Sequence, residues 1–348
     1  LSNKHVFLSQ PLCTPLLFYF IYAVKTISII IAIIYYTRKE GFEVDLIKLK
    51  EKYSKHNIKG KYRFTDRKKD RPKLVLLLIG YKRQLWDDIL PRFKSQLDDN
   101  MDVCLVSSGR YFDELENLAR ENDWSYISTK KNNVCLIQNI AISLFKKASL
   151  IFKVDEDIFL TKDAFKKMES AMVRAQEESP YNIGMAAPLL NLNAYGYYRI
   201  LEKLGKLSDF ESRFGKAKMA AGRDQAIETS GDIARFMWGE DGTIPHIDKI
   251  DELFSQSNPS WSICPIRLSI GCILYKRSFW EDFGRFPVVI GDGMGLDETI
   301  MIAAGAALSQ TMAVAEDCAV GHFGYKDQGA EMMKLYCSRR DLFSWNLK

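Results

Sequence analysis

The chain has 348 residues, of which 47% are hydrophobic and 27% charged, and a formal net charge of +5. That is the balance of an ordinary globular protein, long enough for one large α/β domain or two smaller ones, and it shows no internal repeat or low-complexity tract. The seven cysteines (Cys13, Cys104, Cys135, Cys264, Cys272, Cys318 and Cys337) are scattered, odd in number and without C-x-x-C spacing. This argues against a disulfide scaffold or a zinc-thiolate site and for a reducing compartment.

The first element is apolar. Residues 16–36, "LLFYFIYAVKTISIIIAIIYY", have the length of a bilayer span and one charge, Lys25. Lys25 would cost ~2.5–3.5 kcal/mol at mid-bilayer, so a helix lying on the membrane stands beside a spanning one. No small-residue cleavage site precedes the charges that follow, which argues against a cleaved leader. Residues 38–73 then carry fourteen Lys/Arg against six Asp/Glu. The positive-inside rule places the bulk of the chain in the cytoplasm, with this stretch near anionic headgroups or simply solvated as a linker. It holds no nucleic-acid recognition motif, and no nucleic-acid partner is expected.

From residue 73 the pattern is that of an α/β protein. "KLVLLLIG" is a continuous apolar run ending in glycine, as in a buried parallel strand. "QLWDDILPRFKSQL" predicts a helix, "MDVCLVSSGR" a strand, "FDELENLARENDW" a helix, "SYISTK" a short strand and "NNVCLIQNIAISLFKKA" a helix. "SLIFKVDEDIFL" is the next strand, with Asp155, Glu156 and Asp157 at its carboxyl end. Alternating elements of this kind imply a mostly parallel sheet with flanking helices, a Rossmann-like arrangement in which ligands bind at the carboxyl ends of the strands.

Two readings of the three acids stand at this point. In an extended segment residues i and i+2 face one way, so Asp155 and Asp157 share one ligand, and paired carboxylates suit Mg²⁺ or Mn²⁺ carrying phosphates. Alternatively they form a polar turn before a helix that starts near Thr161, whose "TKDAF" carries a cap signal.

The order of these elements resembles the GT-A-fold, family-2-like glycosyltransferases that use nucleotide-sugars, over about residues 73–325. In that group the first strand and its loop, here "LVLLLIGYKR" with Gly80, Tyr81 and Arg83, meet the nucleotide. The later strand ends in D-x-D, here Asp155 and Asp157, and Gln138-Asn139-Ile140-Ala141 takes the place of the Asn and small residues in the helix before it. "IRLSIGCILYKRSFWEDFGRF" resembles the family's strand, aromatic-rich helix and glycine turn. Asp297-Glu298 fill the slot of an acidic pair that opens a helix and deprotonates the acceptor. The family order is Glu-Asp with the second residue as base, so position favours Glu298 and residue type Asp297, with a slight preference for Asp297. In "AVGHFGY", His322 corresponds to a C-terminal metal ligand beside D-x-D. The second strand departs from the family, ending in Ser107-Ser108-Gly109-Arg110 where an acid usually reads uracil. Ser107 and Ser108 then stand in for that carboxylate, and UDP is the default base only by resemblance.

What this implies is a glycosyltransferase that moves a sugar from a nucleotide-sugar to a glycan or lipid-linked acceptor at a membrane surface, in surface polysaccharide or glycoconjugate synthesis. A divalent ion (Mn²⁺ or Mg²⁺) on Asp155, Asp157 and His322 neutralises the leaving diphosphate, with help from Lys82, Arg83 or Lys153. A base on the far side of the sugar gives inversion. The implied organisation is a membrane-associated segment 1–36, a basic connector 37–72, a catalytic domain 73–330 with an acceptor-side insertion 190–262, and a tail 331–348. Tyr195, Tyr197, Tyr198, Trp238 and Trp261 of the insertion either stack on sugars or form its own small core. The alternatives are a related-fold nucleotidyltransferase, for which "IGYKRQLW" lacks the glycine-rich basic loop, and a non-catalytic membrane-bound binding protein.

Overall fold

The computed structural model describes residues 57–219, 226–256 and 260–345, all within the unit Ser54–Lys348. The expected apolar segment 16–36 lies outside the described residues. Among the described residues no helix is long and apolar enough to cross a membrane.

A ten-stranded sheet forms the centre. Four strands, β2 (Lys73–Leu78), β3 (Met101–Ser107), β4 (Ser125–Thr129) and β5 (Leu150–Asp155), are parallel and adjacent in the order β4-β3-β2-β5. The chain therefore winds outward from β2 through β3 and β4, then crosses back to place β5 on the other side of β2. In open α/β sheets such a reversal marks the crevice where ligands bind, here at the carboxyl ends of β2 and β5. β9 (Cys272–Lys276) runs antiparallel beside β5, and beyond it β7 (Asn182–Leu190) and β10 (Gln310–His322) again run in the common direction. β1 (Tyr62–Thr65) closes one edge against β4. β6 (Ile158–Phe159) and β8 (Trp261–Ile263) add short antiparallel pairings to β10.

Each expected strand and helix from residue 73 to the acids is present, somewhat shorter than its apolar run. The helices are α1 (Trp86–Lys94), α2 (Asp113–Glu121) and α3 (Val134–Leu144), followed after β5 by α4 (Ala164–Glu178). Asp113, Glu114 and Glu116 occupy the first turn of α2, where the helix dipole favours anions. Asn133 caps α3, its side chain accepting the Leu136 N–H at 2.9 Å. On one face of the sheet Phe152 stacks on Phe165 of α4 at 4.3 Å, and Phe93 of α1 packs edge-on to Phe165. Four of the six described cysteines (Cys104, Cys135, Cys272 and Cys318) are buried, and all six are free thiols.

Three boundaries differ from expectation. β1 lies inside the expected connector 37–72 because its four residues complete the β4 edge. The expected insertion builds α5 (Gly196–Lys203), α6 (Leu207–Phe214), α7 (Ala226–Thr229), α8 (Gly231–Met237) and α9 (Ile247–Ser255), and α9 packs on β10. The expected tail is part of the same core. After α10 (Arg277–Asp282) and α11 (Leu296–Ala307), α12 (Gly329–Ser338) brings in Phe343, which is fully buried against Phe159, Trp238, Phe323 and Tyr336.

Candidate active site

β5 ends at Asp155, and Glu156 and Asp157 form a turn before β6. The strand alternation that would put Asp155 and Asp157 on one face stops at that point, and the three acids face three partners. Asp155 accepts from the Lys153 ammonium at 2.7 Å; that ammonium is buried and also donates to the Ile270 carbonyl at 3.0 Å. Burial pushes the Asp155 carboxyl up to about 6 even though Lys153 pulls it down. Lys153, expected to face the donor, instead lies beneath Asp155.

Glu156 accepts the backbone N–H groups of Gly80 at 2.9 Å and Tyr81 at 2.7 Å, and the Trp86 indole N–H at 3.1 Å. It thereby fastens the loop after β2 to the turn after β5. Gly80 is required in that loop: its φ is +140°, and a Cβ there would lie 2.7 Å from the Phe112 ring.

Asp157 meets His322 because β6 pairs antiparallel with the end of β10, with Ile158 opposite His322 and the Phe323 N–H on the Asp157 carbonyl at 2.9 Å. His322 Nε2 lies 3.5 Å from Asp157 Oδ2. Its Nδ1 lies 3.3 Å from the Leu192 carbonyl. A carbonyl only accepts, so Nδ1 carries a proton and orients the ring with Nε2 toward Asp157, where Nε2 donates to the carboxylate when it is protonated and can ligate a metal when it is not. Lys82 donates its ammonium to the same Asp157 oxygen. Burial alone would raise the Asp157 carboxyl, but Lys82 and His322 reverse this and hold it well below the usual carboxylate range. The cap reading of the motif does not hold. Thr161 is buried and donates to the Ala319 carbonyl at 2.7 Å, and α4 starts after Asp163, which has a φ of 56°.

Asp297 and Glu298 open α11 and diverge. Asp297 Oδ2 accepts from the Gln138 amide at 2.8 Å, toward α3. Glu298 accepts from Arg267 Nε and from the Ile270 N–H at 3.3 Å. Arg267 Nη1 also lies 3.7 Å from Glu228. Burial raises the Glu298 carboxyl, and Arg267 offsets part of that rise. Tyr325 spans the two halves: its ring stands edge-on to His322 at 4.6 Å, and burial with the nearby Glu228 and Glu298 charges raises its hydroxyl.

Two residues expected to touch the nucleotide are sealed inside the fold. Ser107 is fully buried, bonded to the Arg110 carbonyl and the Tyr126 hydroxyl, each at 2.7 Å. Asn139 is also fully buried; it donates to the Asn57 and Phe286 carbonyls and accepts from the Trp280 indole and the Phe286 N–H. Ser108 remains at the rim, where its Oγ accepts the Asn133 N–H at 2.7 Å and its carbonyl accepts the Tyr81 hydroxyl. Arg83 is drawn aside by Glu114 at 2.6 Å and lies over Trp86. Of the aromatics proposed for sugar stacking, Tyr195, Tyr197 and Trp238 are buried core. Trp238 donates to the His322 carbonyl at 3.0 Å, so it braces the site from behind.

Arg267, Tyr325 and Glu228 were not legible as site residues. Arg267 and Tyr325 fall inside two of the quoted stretches, "IRLSIGCILYKRSFWEDFGRF" and "AVGHFGY", but no local pattern marks their side chains, and Glu228 belongs to a helix with no motif of its own.

Among the described residues, no three His, Cys, Asp or Glu side chains are gathered so as to hold a metal by themselves. The donors present still fit one. A carboxylate and an oriented imidazole face one point, and the Lys82 ammonium on Asp157 shows that this point accepts a cation. A small divalent ion held by one or two protein ligands normally completes its shell with water and substrate phosphates.

No family model matches the sequence, and no curated protein sequence matches it. Among solved structures, the mannosyltransferase PcManGT from Pyrobaculum calidifontis, in complex with GDP-Man and Mn²⁺, aligns with a TM-score of 0.44 at 14% identity. The match covers 81% of this chain and 66% of that one. At that identity and TM-score the likeness assigns nothing to this chain.

Proposed function

We propose that this chain is a GT-A-type glycosyltransferase that transfers a sugar from a nucleoside-diphosphate sugar to a glycan or lipid-linked acceptor. The observation that carries the reading is the Asp157–His322 pair at the β2/β5 switch point, with His322 oriented through Leu192 and a cation already on Asp157. Asp157 and His322 would hold Mn²⁺ or Mg²⁺, which supplies charge neutralisation for the leaving diphosphate. Asp155, anchored by Lys153, adds a second carboxylate at the rim, a third of its side chain being exposed. The loop of Gly80 and Tyr81, set by Glu156, forms the donor wall.

Glu298 is the acceptor base in this reading, in place of the slightly preferred Asp297. Its carboxyl is raised, which brings a carboxylate closer to the pKa a general base needs, and Tyr325 links its side of the crevice to His322. Asp297 is committed to Gln138. A base facing the acceptor, across the sugar from the diphosphate, gives inversion. The apolar run 16–36 and the basic residues after it suit a cytoplasm-facing membrane enzyme, which membrane fractionation of the chain with and without residues 1–36 tests.

The deciding experiment is transfer and hydrolysis of a panel of nucleotide-sugars with and without Mn²⁺, comparing wild type with Asp157→Ala. Loss of metal-dependent turnover by about 10²-fold or more is expected. If no nucleotide-sugar binds and the substitution changes nothing, the enzyme reading fails.

A further inference from the structure

We propose that Lys82 is an exchangeable counter-ion: its ammonium holds Asp157 until a nucleoside diphosphate and its metal arrive together, when the metal takes the carboxylate and Lys82 moves to the phosphates. This rests on the nucleotide-sugar reading above and adds an order of events to it.

The geometry makes Lys82 and a metal competitors. The Asp157 oxygen that pairs with Lys82 is the one that faces His322 Nε2 at 3.5 Å, so both cations need the same atom. It also decides which partner moves. The Asp157 and His322 side chains are each 9% exposed, whereas that of Lys82 is 38% exposed on a flexible four-carbon stem. The backbone beneath Lys82 stays in place, because Glu156 holds the N–H groups of Gly80 and Tyr81. The ammonium therefore swings without the loop moving. Lys82 lies just after β2, at the switch point where a parallel sheet receives phosphates, and lysine binds phosphate as a point charge.

The thermodynamic consequence is coupling. Metal alone must displace the ammonium with nothing to receive it, so it binds weakly. Diphosphate supplies the new partner, so each ligand tightens the other by the same factor.

The test is Mn²⁺ binding to the full chain, followed by the electron paramagnetic resonance signal of free Mn²⁺, with no nucleotide and then with UDP or GDP. Lys82→Met is expected to bind Mn²⁺ alone about tenfold more tightly than wild type, the size of one lost charge-assisted competitor. It should also lose most of the tightening that the nucleotide produces. Lys82→Arg, which retains the charge, should behave as wild type. A purely structural lysine would leave Mn²⁺ affinity unchanged or weakened when removed, and that result overturns the exchange. If Asp157→Ala binds Mn²⁺ as wild type does, the ion is not at this carboxylate, and both the crevice reading and the exchange fall. If Asp157→Ala weakens binding while Lys82→Met does not tighten it, only the exchange falls.

Discussion

Glu156 and Gly80, seventy-six residues apart in sequence, are joined by a 2.9 Å hydrogen bond from the Gly80 N–H to the Glu156 carboxylate. The middle acid of the motif is thus the fastener of the donor loop, while its two neighbours face Lys153 and Lys82. Removing it leaves two backbone N–H groups and the Trp86 indole without their acceptor. Glu156→Ala should destabilise the fold by roughly 2–4 kcal/mol in urea unfolding. Nucleotide affinity should fall with it, and an unchanged urea midpoint would show the loop to be held by other contacts.

The two acids that open α11 should separate in kinetics. Glu298→Gln is expected to lower kcat by about 10²–10⁴-fold with little change in KM, as for loss of a general base. Asp297→Asn keeps a partner for Gln138 and should cost less than about tenfold. Equal, mild effects from both would defeat the assignment.

Arg267 offers an independent check on the same base. Burial raises the Glu298 carboxyl and the adjacent guanidinium pulls it back, so Arg267→Met removes the downward influence. The acidic limb of the kcat/KM profile should then move to higher pH, because the base stays protonated further up the scale. An unmoved limb would place the titrating base elsewhere.

Stability below neutral pH should depend on a carboxylate outside the proposed site. Glu316 sits where β10 slips register between Ala315 and Ala319, held by Arg199 at 3.1 Å and Ser262 at 2.6 Å. Burial alone would raise its carboxyl, but Arg199 and Ser262 hold it below the usual glutamate value. A depressed folded pKa contributes stability above the unfolded value of about 4.3 and loses it as pH falls through the folded one. In melts at successive pH values, Glu316→Gln should be the less stable chain at pH 7, with the gap closing as pH drops below about 4.3. A gap that stays constant would mean that the carboxylate charge contributes nothing.

Gly321 should tolerate no side chain. A Cβ there would lie 2.4 Å from the Trp238 ring and 3.2 Å from Phe159 Cβ, one residue before His322. Gly321→Ala is expected to cost about 1–3 kcal/mol by overpacking, read as a lower urea midpoint with an unchanged slope. Mn²⁺ binding should weaken in the same protein, since Trp238 also holds the His322 carbonyl.

The sequence by itself determined the local features: the alternation of apolar runs and amphipathic helices from residue 73, the acids at the end of β5, the acid pair that opens α11 and a histidine between glycines. These follow from periodicity, helix-start preferences and the placement of charge after an apolar run, all properties of neighbouring residues. It could not say which way each acid faces. That depends on β5 ending at Asp155 rather than running through Asp157, and on β6 pairing with the far end of β10 so that Ile158 lies opposite His322. For the same reason Ser107 and Asn139 looked accessible in sequence and are sealed in the structure, where Tyr126, Trp280 and Phe286 use their polar atoms. Strand ends, partners and burial are set by contacts between segments far apart in the chain, and only the tertiary structure decided them.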